Sequence, residues 1–140
     1  MNPTRMLFLA PVLAIALAGA GCGGSEQNDF VEGYNAATAP LTQLTTDLSG
    51  TPDQASLDKM ADGLDDVRVK LGELDAPDGA QDELDAMLAS LETNTAEVRK
   101  MAKAVKSGDV QKLSAATQSF STEGAKLVAA EQALRAAVDG

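Results

Sequence analysis

The chain has 140 residues, which suffices for one ordinary domain and is too short for a two-domain enzyme with a cleft between its lobes. Its formal net charge is −10, so it repels phosphate backbones and we expect no nucleic-acid binding. The absence of histidine and the single cysteine exclude imidazole catalysis, histidine metal ligands, an intrachain disulfide and a thiolate zinc site. We therefore expect a protein that is not an enzyme and that uses no cofactor and no metal.

Residues 1–21 have the pattern of a secretory signal peptide. Arg5 supplies a positive charge, Met6–Leu17 is continuously apolar, and Ala18–Gly21 are all small. The stretch Met6–Gly21 has 16 residues, whereas a membrane-spanning helix needs about 20. A cleaved signal peptide is therefore favoured over a permanent membrane anchor.

The cysteine at the end of this segment indicates lipid attachment. The sequence Leu17-Ala18-Gly19-Ala20-Gly21-Cys22 resembles the lipobox of bacterial lipoproteins, although Gly19 stands where the commonest lipobox has leucine. The resemblance implies cleavage before Cys22 and a diacylglycerol on its sulfur. The protein would then be exported and anchored to the outer face of the cytoplasmic membrane or of another envelope membrane. The alternative is a plain secretory signal with an unmodified cysteine.

The remainder divides into a flexible tether, residues 22–27, and a helical domain, residues 28–140. Helix-forming residues dominate the domain, and apolar residues recur at alternating steps of three and four. In the first segment these are Phe30, Tyr34, Ala37, Leu41, Leu44 and Leu48. Three similar stripes follow, over 57–74, 84–105 and 110–138, which predicts four amphipathic helices.

Turn and capping residues separate the four stripes. Gly50, Pro77 and Gly108 mark the ends of the first three helices, and Thr51 with Gln54, Asp78 with Gln81, and Asp109 are the predicted N-terminal caps. Short loops force neighbouring helices to run antiparallel. The fold class predicted is all-α, a monomeric up-down-up-down antiparallel four-helix bundle after a cleaved signal peptide. Pro40 is expected to kink the first helix without ending it.

A polar level interrupts the apolar stripes near the middle of the predicted bundle. The third stripe becomes polar at Asn94 and Thr95. In antiparallel helices, residues equally far from the connecting loop lie at the same height, and this places Pro40, Ser121 and Thr122 near the level of Asn94. One interpretation is a polar layer that fixes the register of the helices. The other is a pocket for a small molecule or a lipid tail.

Charged residues give two further predictions. A basic cluster comprises Arg99, Lys100, Lys103, Lys106 and Lys112. It is either a docking patch for an acidic partner or a phosphate group, or a set of cations that complements the negative end of the third helix. We expect the acidic residues Asp58, Asp62, Asp65 and Asp66 to form a solvated face, and Ala130 to replace Glu131 in the apolar seam of the fourth helix.

The domain also resembles small helical lipoproteins and secreted proteins of high-GC bacteria. The shared traits are the helix break from Leu71 to Pro77 and the opening with Phe30, Tyr34 and Asn35. This resemblance implies no activity. We expect a membrane-anchored envelope lipoprotein that acts as a non-catalytic interaction or structural module with an envelope protein partner. The alternative is a lipoprotein that binds a small molecule or lipid tail between its helices.

Overall fold

A computed structural model describes residues 24–47 and 52–140, and over these ranges the chain is helical without a strand. The helices are α1 (Ser25–Asp47), α2 (Gln54–Gly72), α3 (Gln81–Ser107) and α4 (Val110–Asp139). None of these four described helices is both long and apolar enough to cross a membrane. The predicted signal peptide and the predicted lipid attachment site, Cys22, lie outside the described residues.

The predicted apolar stripes form a single core in which each helix packs against the next one in the chain. The largest side chains that are almost completely buried come from all four helices: Tyr34, Leu57, Leu71, Leu84, Met87, Leu91 and Leu134. Removing a leucine or methionine side chain from water contributes about 1.5 to 3 kcal/mol. Burial of the stripes is therefore the main force that holds the helices together, and the all-helical prediction is confirmed.

Helix α1 starts earlier than predicted and continues through its proline. Ser25, Glu26 and Gln27 are helical, so the prediction of a flexible tether is wrong for these three residues. The side-chain amide of Gln27 donates a hydrogen bond to the carbonyl of Val138, near the end of α4, which holds this first turn. Pro40 lies inside the unbroken helix and is exposed, so water can reach the backbone group that its ring leaves without a partner.

The starts of α2 and α3 differ from the predicted caps. Asp53, not Thr51, caps α2, because its carboxylate accepts a hydrogen bond from the Ser56 amide at 2.8 Å. Thr51 lies outside the described residues. At the start of α3 the cap position is Ala80, which makes no side-chain capping bond, and Asp78 is not the cap. A backbone turn replaces it, in which the Ala80 amide bonds the Pro77 carbonyl at 3.0 Å.

The turn between α3 and α4 follows the prediction. Gly108 adopts a positive φ of 68°, which a residue with a Cβ rarely tolerates, and it closes the end of α3. Asp109 then caps α4 by accepting a hydrogen bond from the Lys112 amide at 3.0 Å. The chain therefore passes from α3 to α4 in two residues.

Helices α1 and α2 interlock through two glycines. A Cβ at Gly33 would lie 2.7 Å from Cδ2 of Leu74, and a Cβ at Gly63 would collide with the side chain of Leu44. Gly33 of α1 thus forms a notch filled by Leu74, two residues after the end of α2, and Gly63 of α2 forms a notch filled by Leu44 of α1. These two contacts fix how α1 lies along α2.

Candidate functional site: a cationic groove between α2 and α3

The five residues of the predicted polar level do not converge on one site. Asn94 and Thr95 are buried, each with 2% of its surface exposed, whereas Pro40, Ser121 and Thr122 are exposed. The structure therefore brings two of the five into the interior of the domain and leaves three at its surface.

The two buried polar residues have partners in the helical backbone. The Asn94 side-chain amide donates to the Ser90 carbonyl at 2.8 Å and to the Glu123 carbonyl of α4 at 3.2 Å. The Thr95 hydroxyl donates to the Leu91 carbonyl at 2.9 Å. Buried polar groups are costly only when they lack such partners, so Asn94 and Thr95 need no ligand to be satisfied.

Among the predicted docking residues, Arg99 is tied to the acidic residues of α2. Its guanidinium lies 2.7 Å from the Asp65 carboxylate and 3.6 Å from that of Asp62. The hydrogen bond to Asp65 is the main reason why the pKa of Arg99 is raised above its usual range. Arg99 therefore links α3 to α2 at the surface, and the predicted solvated face of Asp58, Asp62, Asp65 and Asp66 is half-buried at Asp65.

Two of the lysines of the patch pair within their own helix or its cap. The Lys100 ammonium lies 2.6 Å from the carboxylate of Glu97, a residue that is 6% exposed. Lys112 lies 3.1 Å from the capping carboxylate of Asp109. The pair of Lys112 is exposed and contributes little to stability, so its ammonium can exchange partners readily. The carboxylate of Glu97 is buried, so it retains Lys100 as its partner.

Lys103 and Lys106 differ from the other three. Both are exposed, and within residues 24–47 and 52–140 no carboxylate forms an ion pair with either of them. Their charges are therefore available to groups from outside the chain.

A groove of about 420 Å³ lies between α2 and α3 and contains three of the five predicted docking residues. It is lined by Asp65, Arg68, Glu92, Thr95, Ala96, Arg99, Lys100 and Lys103. Ala96 carries a single methyl group between Glu92 and Lys100, one turn away on either side, which leaves space above it. The lining has four cations and two carboxylates, although the whole chain has almost twice as many acidic as basic residues.

Sequence reasoning missed Arg68 as part of this site. Arg68 belongs to α2, and its carboxylate neighbour Asp65 lies 3.5 Å away on the same helix. The spacing of these two residues indicates only an intrahelical pair. Packing of α2 on α3 brings Arg68 next to the cations of α3.

A second polar cluster lies where α1, α3 and α4 meet. The hydroxyl of Tyr34 donates to the sulfur of Met87 at 3.5 Å, and burial, aided by the charge of Glu131, raises the pKa of Tyr34. Glu131 has 13% of its side chain exposed and lies 3.4 Å from Arg135, and burial raises its pKa as well. Ala130 packs against the core, as expected, but Glu131 is half-buried as well and is not displaced from the seam.

Within the part of the chain that the structure describes, no three acidic, histidine or cysteine side chains are grouped so that they could hold a metal ion. The groove can instead form charge-assisted hydrogen bonds to an anionic group, through guanidinium and ammonium donors. No family model, curated protein or solved structure matches the chain.

Proposed function

We propose that this protein is a lipid-anchored envelope protein whose helical domain is a non-catalytic interaction module. The observation that carries the proposal is the apolar run Met6–Leu17, followed by four small residues and the only cysteine of the chain. Two acyl chains on Cys22 would hold the protein stably on a bilayer without help from basic residues. Helix α1 begins at Ser25, so only two residues separate the anchor from the helical domain.

The domain is an up-down-up-down bundle. Two contacts support antiparallel packing of α1 and α2. Gly33 lies against Leu74, whereas Leu44, further along α1, lies against the earlier residue Gly63. The same reversal supports it for α2 and α3, where Gly72 approaches Leu88 and Asp65 pairs with Arg99. The bond from Gln27 to Val138 supports a closed arrangement in which α4 ends beside the start of α1.

A surface role is favoured over a ligand held between the helices. The buried amide of Asn94 is occupied by two backbone carbonyls, and the hydroxyl of the adjacent Thr95 bonds the Leu91 carbonyl. The concave region that does carry several charged groups is the groove between α2 and α3, on the outside of the bundle. The interaction module therefore acts through this outer face.

Lipid attachment is tested by expressing the full chain in a bacterium that is fed an alkyne-labelled fatty acid. The native chain should take up the label and remain with the membrane fraction, whereas Cys22→Ala should do neither. The double variant Cys22→Ala, Ser25→Cys keeps one thiol in the chain but moves it, and it should also stay unlabelled. Labelling of either variant would refute attachment at Cys22.

A further inference from the structure

We propose that the groove between α2 and α3 binds an acidic polypeptide segment of a partner protein. This inference rests on the proposed function, which gives the domain an interaction role without specifying the partner. Three observations carry it: the excess of cations in the groove, the open lysine at one end of it, and the mixture of charges along its walls.

The first observation is the local reversal of charge. The chain as a whole carries −10, but the groove collects Arg68, Arg99, Lys100 and Lys103 against Asp65 and Glu92. Arg99 is already engaged with Asp65, whereas Lys103 has no carboxylate partner among the described residues. An incoming carboxylate can therefore pair with Lys103 without breaking an existing ion pair, and a second one can accept from a further N–H of the exposed Lys100 ammonium while Glu97 keeps its bond.

The third observation, the mixture of charges along the walls, separates a polypeptide from a phosphate polymer. A phosphate polymer carries a negative charge on every repeat and would place some of these charges beside Asp65 and Glu92. A polypeptide can place carboxylates at the cations and neutral or basic side chains at Asp65 and Glu92. The mixed walls thus favour a partner whose charges are spaced by other residues.

The position of the groove excludes the headgroups of the protein's own membrane as the occupant. In the proposed bundle the anchored end of α1 lies beside the start of α3 at Gln81, and Arg99 is about 25 Å further along α3. The first turn of α3, at the same end, carries the acidic residues Asp82 and Glu83, whose charges repel an anionic surface. The groove is therefore presented away from the membrane.

The test measures binding of a short fluorescent peptide of alternating Glu and Ser to the full chain in mild detergent, at physiological ionic strength. Lys103→Glu should weaken binding about fivefold or more. Lys106→Glu is the matched control, because it makes the same charge change on the same helix, outside the groove. It should change binding less than twofold.

A second pair of variants tests the shape of the groove without changing any charge. Ala96→Leu fills the space between Glu92 and Lys100 and should weaken binding about fivefold, whereas Ala89→Leu, two turns earlier on the exposed face of α3, should not. Both positions are exposed, so helicity should be retained in both variants, as checked by circular dichroism.

Three outcomes would overturn the proposal. Equal losses in Lys103→Glu and Lys106→Glu would indicate general charge attraction and no specific groove. Tighter binding of linear inorganic polyphosphate, matched in charge to the peptide, would assign the groove to a phosphate polymer. No binding of the peptide by the native chain would leave the groove without this role. None of these results bears on lipid attachment, which the labelling of Cys22 tests separately.

Discussion

The side-chain amide of Asn94 on α3 bonds the backbone carbonyl of Glu123 on α4 at 3.2 Å while also bonding the Ser90 carbonyl of its own helix. Asn94 is 2% exposed, and its neighbours along the buried face of α3 are Leu91 and Val98. The bond is directional, whereas the apolar contacts around it are not. It therefore selects one register of α3 against α4.

We predict that Asn94→Leu leaves the free energy of unfolding within about 1 kcal/mol of the native value, because a neutral buried hydrogen bond contributes about that much and the leucine adds apolar burial. Loss of the hydrogen bond should instead allow more than one register of α3 against α4, which would give fewer and broader amide resonances in the NMR spectrum. Asn94→Ala, which removes the same bond and also leaves a cavity, should destabilise by about 1 to 3 kcal/mol. An Asn94→Leu variant with a native spectrum would show that the bond does not set the register.

The notch at Gly63 predicts opposite effects for two glycine substitutions in one helix. Alanine normally stabilises a helix interior by about 0.5 to 1 kcal/mol relative to glycine. In Gly63→Ala the new methyl would displace Leu44 from the notch, so we expect a net loss of about 1 to 2 kcal/mol. In Gly72→Ala the methyl would meet Leu88 at an ordinary 3.8 Å, so stability should be retained or slightly increased. Urea unfolding monitored by circular dichroism measures both.

The stripes of apolar residues sufficed to predict four helices, because burial dominates their stability and the spacing of three and four is a local property. The cap at Asp109 was predictable because a cap, too, depends on residues that are neighbours in the sequence. The start of α3 was not, since the turn at Pro77 to Ala80 satisfies the backbone where Asp78 was expected to cap. Asn94 was predicted to lie at the height of Thr122 in α4, and its observed partner there is the next residue, Glu123.

Other predicted levels were less accurate, because they depended on where each loop was centred. Leu44, one turn further along α1 than Pro40, is the residue that lies against Gly63 of α2. The groove could be anticipated only in part. Arg99, Lys100 and Lys103 belong to one cluster in the sequence, whereas Arg68 joins them through packing of α2 on α3.

The caps at Asp53 and Asp109 predict a loss of stability in acid. Hydrogen bonds from the helix starts lower the pKa of both carboxyls in the folded state. A lowered folded-state pKa gives stabilisation that is present above the unfolded value, about 4, and is lost as pH falls through the folded value. Asp109→Asn keeps an acceptor for the Lys112 amide but cannot titrate, so its stability should depend less on pH between about 5 and 2 than that of the native chain.

Asp109→Ala provides the comparison for this pH dependence. It removes both the charge and the acceptor, so it should be less stable than Asp109→Asn at neutral pH. Thermal unfolding across a pH series measures the three chains side by side. If Asp109→Asn and Asp109→Ala were equally unstable at neutral pH, the charge and not the capping bond would be responsible.

Tyr34 predicts a loss of stability in alkali. Its ring is 1% exposed, and burial keeps the pKa of the hydroxyl well above the usual value of about 10. Above that pH the unfolded chain loses the tyrosine proton and the folded chain keeps it, so the folded state becomes less stable by up to about 1.4 kcal/mol per pH unit. Tyr34→Phe cannot ionise and should lose less stability between about pH 10 and pH 11.5.

The chain has one tyrosine and no tryptophan, so tyrosinate absorbance reports Tyr34 alone. In the native chain this absorbance should increase together with the loss of helicity. Ionisation near pH 10 with the helices intact would show that Tyr34 is not held in the core as described.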